Sequence, residues 1–180
     1  MARILTAREL STSQLIAVRE DVQTKLVNVA SRETGRKASD FVIRDSMPLT
    51  DFGFATEKWS NQTAQVDGVW TKDWTKTLPK NTFVAFYGFA DNANNPLIIG
   101  CKFKVGASGS TVRDVAMFSR MRVEEAVKCY IEPVIYKGDE TIYIELYQNS
   151  GAVLAQYGEE LEIFAFVCEP LGAIISGAPP

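Results

Sequence analysis

Histidine does not occur in this chain. It is the commonest general acid–base group near neutral pH, so its absence removes Ser-His-Asp and Cys-His nucleophilic sites and the usual imidazole metal ligand. Cysteine is scarce: Cys101, Cys129 and Cys168 lie far apart, with no Cys-x-x-Cys pair. Three scattered thiols do not build a tetrahedral zinc site, and no metal or other cofactor is expected. Each cysteine stands in apolar sequence (IIGCKF, VKCYI, FVCEP), where its simplest role is a small, reduced core residue of a protein made in a cytoplasm. Long hydrophobic runs are also missing. The longest, Phe83–Ala90 (FVAFYGFA), falls far short of the roughly 18 residues of a membrane span. The opening MARILTAREL has no apolar core followed by a small-residue cleavage site, so neither a span nor a secretory signal is expected.

Phosphate and calcium motifs are wanting too. Gly106–Ser110 (GASGS) has the flexibility of a phosphate loop without the Gly-Lys-Ser/Thr ending. Asp91–Asn95 has the look of a calcium loop, but Ala93 occupies a ligand position and Lys102 stands where a bidentate Glu is needed. Asn61-Gln62-Thr63 is a formal glycosylation sequon without a secretory context. The acid pairs Glu124/Glu125 and Asp139/Glu140 and the group Glu159/Glu160/Glu162 are the only candidates for glycosidase-like chemistry. They fall in turns or at strand ends, so the chain is expected not to be an enzyme.

What is present is the composition of a folded domain: 46% apolar and 23% charged residues are enough to bury a core. Charge is uneven. Residues 1–37 hold seven Lys/Arg against four acids, whereas the rest holds twelve against eighteen. Opposite signs on an arm and a body would attract each other between neighbouring subunits. No basic patch in the sequence argues for nucleic acid.

Residues 6–35 carry a helical pattern. Thr6/Glu9 and Ser11/Gln14 are alternative capping boxes, Leu15, Val18, Val22, Leu26 and Val29 recur at steps of three and four, and Gly35 is a natural stop. Such a stripe needs cover, either from the chain's own body or from a second copy. Residues 36–80 read as loops with short apolar pieces at Phe41–Ile43 and Phe52–Phe54. From residue 82 onward β-branched and aromatic runs alternate with turn signals. Strands are expected at Thr82–Phe89, Leu97–Val105, Thr111–Arg120, Val127–Tyr136, Thr141–Tyr147, Ala152–Gln156 and Leu161–Val167, with a tight hairpin at Lys137–Glu140. The predicted fold is mainly β with an N-terminal α-helix: an antiparallel β-sandwich or jelly-roll-like body at 38–170, a helical arm at 1–37 and an apolar tail at 171–180.

Val69–Lys76 (VWTKDWTK) repeats Trp-Thr-Lys at a step of four, with Trp59 nearby. In a regular strand Trp70 and Trp74 share one face. Two coplanar indoles would stack on sugar rings; the alternative is that they anchor a loop onto the core or a subunit interface.

Pro96–Val105 (PLIIGCKFKV), Gly106–Val115 (GASGSTVRDV) and Tyr130–Glu145 (YIEPVIYKGDETIYIE) together resemble structural proteins of tailed bacteriophages, most closely a capsid decoration or cement protein. The likeness extends over roughly residues 80–168, without a residue-by-residue family match. The helical arm and apolar tail depart from a bare jelly roll. The resemblance implies a mechanical role in the virion: a homotrimer sitting on a major capsid protein, with no nucleic acid or membrane partner. Contacts are then expected at Leu15, Val18, Val22 and Leu26, at Trp59, Trp70 and Trp74, and at Ile174 and Ile175. A tail, baseplate or connector protein shares these features, and a glycan-binding β-sandwich is the alternative of a different class.

Overall fold

A computed structural model describes residues 4–6, 11–91, 93, 96–117 and 127–172, and of 4–6, 91 and 127–131 the backbone alone. Among the described residues the α-helix α1 (Thr12–Thr34) accompanies strands β1 (Ile4–Thr6), β2 (Phe41–Asp45), β3 (Trp70–Thr77), β4 (Phe83–Asp91), β5 (Ile98–Val105), β6 (Thr111–Met117), β7 (Val127–Tyr136), β8 (Thr141–Gln148) and β9 (Leu161–Pro170). They form two antiparallel sheets, ordered β1-β7-β4-β9-β2 and β3-β8-β5-β6.

The pairings are nested. β5 pairs β6, β4 pairs β7, β3 pairs β8 and β2 pairs β9, so the chain from β2 to β9 is one long hairpin. Rolling that hairpin adds the contacts β4·β9 and β5·β8 and splits it into two facing sheets. This is the jelly-roll winding, and the body has the mainly β sandwich architecture expected from the sequence. The connections β2–β3 and β8–β9 meet at one end, where Gln65 and Leu154 bridge. The short turns at 78–82, 106–110 and 137–140 gather at the other, where Glu140 N–H donates to Lys137 O at 3.1 Å in the predicted hairpin.

The core has two layers. Between the sheets lie Phe86, Phe89, Phe103, Ile142, Ile144, Leu146 and their neighbours; on the far side of the β4-β9-β2 surface, Phe41, Phe83, Ala85, Tyr87, Phe166 and Cys168 meet α1. Strand β8 shows the cause plainly: Ile142, Ile144 and Leu146 point inward while Tyr143, Glu145 and Tyr147 point outward.

Helix α1 starts at Ser11, whose hydroxyl accepts from Gln14 N–H while its own N–H donates to Gln14 Oε1 at 2.8 Å; Gly35 ends it at φ 71°. Thr6, the earlier candidate start, belongs instead to β1, paired with Lys128. Val22, Leu26 and Ala30 are fully buried against the chain's own sheet, and Val18 and Val29 are partly so. Residues 12–34 are therefore a third layer of the body, not a free arm. The charges follow: Arg19 reaches Asp45 at 3.0 Å and Tyr87 Oη at 2.8 Å, and Lys137 reaches Glu33 at 2.9 Å, so helix and body attract within one chain. The strand expected at Ala152–Gln156 does not form. Only Leu154 bridges, to Gln65 of the β2–β3 connection. Phe52 and Phe54 are the end and sequel of a π-type turn, Pro48–Phe52, that drops both rings into the core.

Candidate functional site

The residues expected at an interface are distributed very differently by the fold. Val22 and Leu26 are buried inside the fold, Val18 is half-buried there, and Leu15 is half-buried one turn further out. Trp59 and Trp74 are core residues: Phe52 lies 5.3 Å from Trp59 and 5.1 Å from Trp74, and Phe54 closes on both at 5.3 and 5.4 Å. Ile174 and Ile175 lie outside the described residues. Of the three tryptophans, Trp70 alone is partly exposed.

Trp70 and Trp74 do not share a face. The register of β3 against β8 runs Trp70↔Tyr147, Lys72↔Glu145 and then Trp74↔Ile144, so Asp73 is an extra residue. A bulge of one residue reverses the alternation, leaving Trp70 outside and turning Trp74 inward. The paired-indole platform required for sugar stacking is absent from this sheet.

The bulge also buries Asp73. Its Oδ1 accepts from Gln62 N–H at 2.7 Å, Thr63 N–H at 3.1 Å and Gln65 Nε2 at 3.0 Å. Burial nevertheless pushes its carboxyl up to about 7, the hydrogen bonds from Thr63 and Gln62 pulling the other way. Around it a buried polar web ties the β2–β3 connection to the β8–β9 connection. Asn61 Nδ2 donates to Ala155 O at 2.7 Å, Gln65 and Leu154 exchange backbone bonds at 2.8 and 3.0 Å, and Gln148 Nε2 donates to Ala152 O at 2.7 Å. Glu159 accepts from the N–H groups of Leu97 and Ile98, at 3.0 and 2.8 Å, fixing the start of β5 to the same web. Asn61, the formal sequon residue, is fully buried with its amide engaged and is closed to a glycan.

Three of the carboxylates considered for catalysis have separate surroundings. Glu140 pairs with Arg113, Glu159 caps β5, and Glu162 is raised by burial and by the charge of Asp45; Glu124 and Glu125 lie outside the described residues. A different acidic pair, Asp51 and Glu169, is spanned by Arg44, which grips Asp51 bidentately at 2.6 and 2.8 Å and Glu169 at 2.9 Å. A cavity of about 430 Å³ opens beside it, lined by Asp51, Lys76, Thr82 and Glu169 over Leu78, Val84 and Val167. Two cations balance two anions there, leaving no net charge to select an ion. Among the described residues no cluster of three or more Cys, Asp or Glu has metal-site geometry. Cys101 and Cys168 are free and buried, and desolvation raises both thiols, the second to about 12, so neither is a ready nucleophile.

Two surfaces escaped the sequence reading. At the loop end Val66, Val69, Val153 and Tyr157 are each about half exposed or more. The Gln65↔Leu154 bridge sets Val66 next to Val153. On the outer side of β3-β8-β5-β6 three rungs cross four strands: Trp70–Tyr147–Gly100–Met117, Lys72–Glu145–Lys102–Val115 and Thr75–Tyr143–Lys104–Val112. Nothing short of the register could gather these residues from four distant segments. No protein-family model, no curated protein and no solved structure matches this chain.

Proposed function

We propose that this chain is a non-enzymatic structural subunit of a viral, phage-type capsid, either a minor capsid subunit or a decoration protein on a major capsid protein, which associates with copies of itself. The observation that carries the reading is the nested pairing β5·β6, β4·β7, β3·β8 and β2·β9, the jelly-roll winding on which many capsid subunits are built. Fold alone is a weak guide to function, so the second support is the form of the loop end. There, exposed Val66, Val69, Val153 and Tyr157 stand on loops locked by buried side chains. A contact surface that is rigid before binding loses little entropy on docking. Apolar side chains raised on such loops suit contacts between subunits better than a lone soluble domain. Helix α1 belongs to this body, so the association surface is the loop end rather than an exchanged arm.

The test is the mass of the full chain by light scattering over concentration, with electron microscopy of any large species. Closed oligomers that fall to monomers in Val66→Asp/Val153→Asp, with unchanged circular dichroism, are the expected result. A full chain that stays monomeric at every concentration sinks the self-association on which the reading rests.

A further inference from the structure

We propose that the outer face of the β3-β8-β5-β6 sheet binds single-stranded nucleic acid, its phosphates meeting Lys72, Lys102 and Lys104 and a base stacking at Trp70. This goes beyond the capsid reading and does not depend on it. Helix α1 packs on the other sheet, against β2, β4, β7 and β9.

The charge on the face is concentrated and opposite to that of the molecule. The chain as a whole is at −3, yet the rungs bring together three lysines and one carboxylate. Glu145 serves Lys104 at 2.7 Å and Lys102 at 3.6 Å. One carboxylate shared by two ammonium groups leaves one of them in excess, and Lys72 adds a second. The lysine heads lie among rings: Lys102 Nζ is 4.0 Å from the Trp70 centroid, and those of Lys72 and Lys104 are 5.5 and 5.2 Å from Tyr143.

The edge of the indole is seated against a glycine. A Cβ at Gly100 would meet Trp70 Cη2 at 2.9 Å, Met117 Sδ at 3.0 Å and Tyr147 Cβ at 3.3 Å. The indole thus reaches across from β3, past Tyr147, onto bare backbone of β5. Aromatic rings with lysine heads over them, Lys102 on Trp70 and Lys72 and Lys104 on Tyr143, supply the two elements by which single strands are held without sequence preference: cations for backbone phosphates and rings for bases. The first and third rungs, about 13 Å apart by strand geometry, offer aromatic groups at both ends of the lysine row. A protein partner fits less well, because lysine is depleted at the cores of protein interfaces and here it occupies the middle of the face.

The experiment titrates the full chain into a labelled oligothymidylate of about 12 nucleotides and reads anisotropy across salt concentration. Quenching of tryptophan fluorescence runs alongside; Trp59 and Trp74 are buried, so a bound base quenches Trp70. Binding should weaken with salt with a log–log slope of about −1.5 to −2, as for two or three phosphates on a single strand. Trp70→Ala should lower affinity about tenfold with the slope kept, the loss of one stacked base. Lys72→Gln/Lys102→Gln should flatten the slope. Thermal melts of each variant check that the body is intact. No binding at low salt overturns the proposal. So does binding indifferent to both variants, or binding matched by heparin and unaffected by Trp70→Ala, since either places the contact elsewhere or removes the stacking. A change of oligomeric state in these variants without nucleic-acid binding also overturns it, and assigns the face to a second copy. Loss of assembly in Val66→Asp/Val153→Asp with binding retained would leave this inference standing while testing the capsid reading separately.

Discussion

The side chains of Trp70 and Trp74 leave β3 on opposite sides, the first against Tyr147 at 5.2 Å on the outer surface and the second against Phe52 at 5.1 Å in the core. Asp73, the residue between them without a partner in the ladder, is the reason. Their substitutions should therefore differ sharply. Trp74→Ala opens a cavity between the sheets and should cost about 3–5 kcal/mol. Trp70→Ala removes a half-exposed ring and should cost about 1 kcal/mol. Denaturant unfolding of the two variants checks this, and equal losses would contradict the bulge.

Asp73 carries a pH dependence of definite sign. Its folded-state value, about 7, lies above the ordinary 3.8, because burial disfavours the charge. Between those values the folded protein holds a proton that the unfolded chain has released. The stabilisation is complete below about pH 4 and is lost as pH rises through about 7. The contribution is on the order of 2–4 kcal/mol. Asp73→Asn keeps an acceptor for the N–H groups of Gln62 and Thr63 without the charge. It should abolish this part of the pH dependence and raise stability at pH 8. Urea midpoints of both proteins between pH 4 and 8 decide it; parallel curves would show that Asp73 is not the titrating group.

Much of the scaffold was legible because it obeys simple periods. Ser11/Gln14 and Gly35 bound α1 correctly, and the alternation of Ile142, Ile144 and Leu146 gives the inner face of β8. What failed did so where a single residue or a distant partner decides. The expected strand at Ala152–Gln156 has the right composition, but its polar bonds go to Asn61 and Gln65 across the loop end rather than along a ladder. The bulge at Asp73 leaves no mark in the repeat VWTKDWTK, which reads as regular. The lysine–aromatic face is invisible for a different reason: Lys72, Lys102 and Lys104 each look like ordinary surface charges until the register aligns them.

Helix α1 should be required for folding of the body. Its removal would bare Phe41, Phe83, Tyr87 and Phe166, which now meet Val22, Leu26 and Ala30. A chain lacking residues 1–37 should be insoluble or bind hydrophobic dye strongly, rather than yield a clean monomer. Within the full chain, Leu26→Ala should cost about 2–5 kcal/mol. Asp45→Ala, which breaks an exposed pair with Arg19, should cost less than about 1 kcal/mol. Soluble yield, dye binding and thermal melts test all three, and a soluble truncated chain with native near-ultraviolet dichroism would make α1 a dispensable addition.

Arg44 offers the last contrast, because what it holds matters more than what it is. Asp51 and Glu169 have side chains only 9% and 8% exposed, and Arg44 binds both. Those hydrogen bonds, led by the one to Asp51, hold the Arg44 guanidinium above its ordinary range. Arg44→Met would leave two largely buried carboxylates close together without a cation, at a cost of about 3–5 kcal/mol. The neutral triple variant Arg44→Met/Asp51→Asn/Glu169→Gln removes the unpaired charges along with the pair and should regain most of that loss, because burying ions offsets much of their mutual attraction. The single variant should also recover stability as pH falls, since one of its orphaned acids takes up a proton. Chemical unfolding of both variants at pH 5 and 8 measures each effect. A single variant no less stable than the parent would mean that Arg44 is a surface residue and that the β2–β9 edge is held by backbone pairing alone.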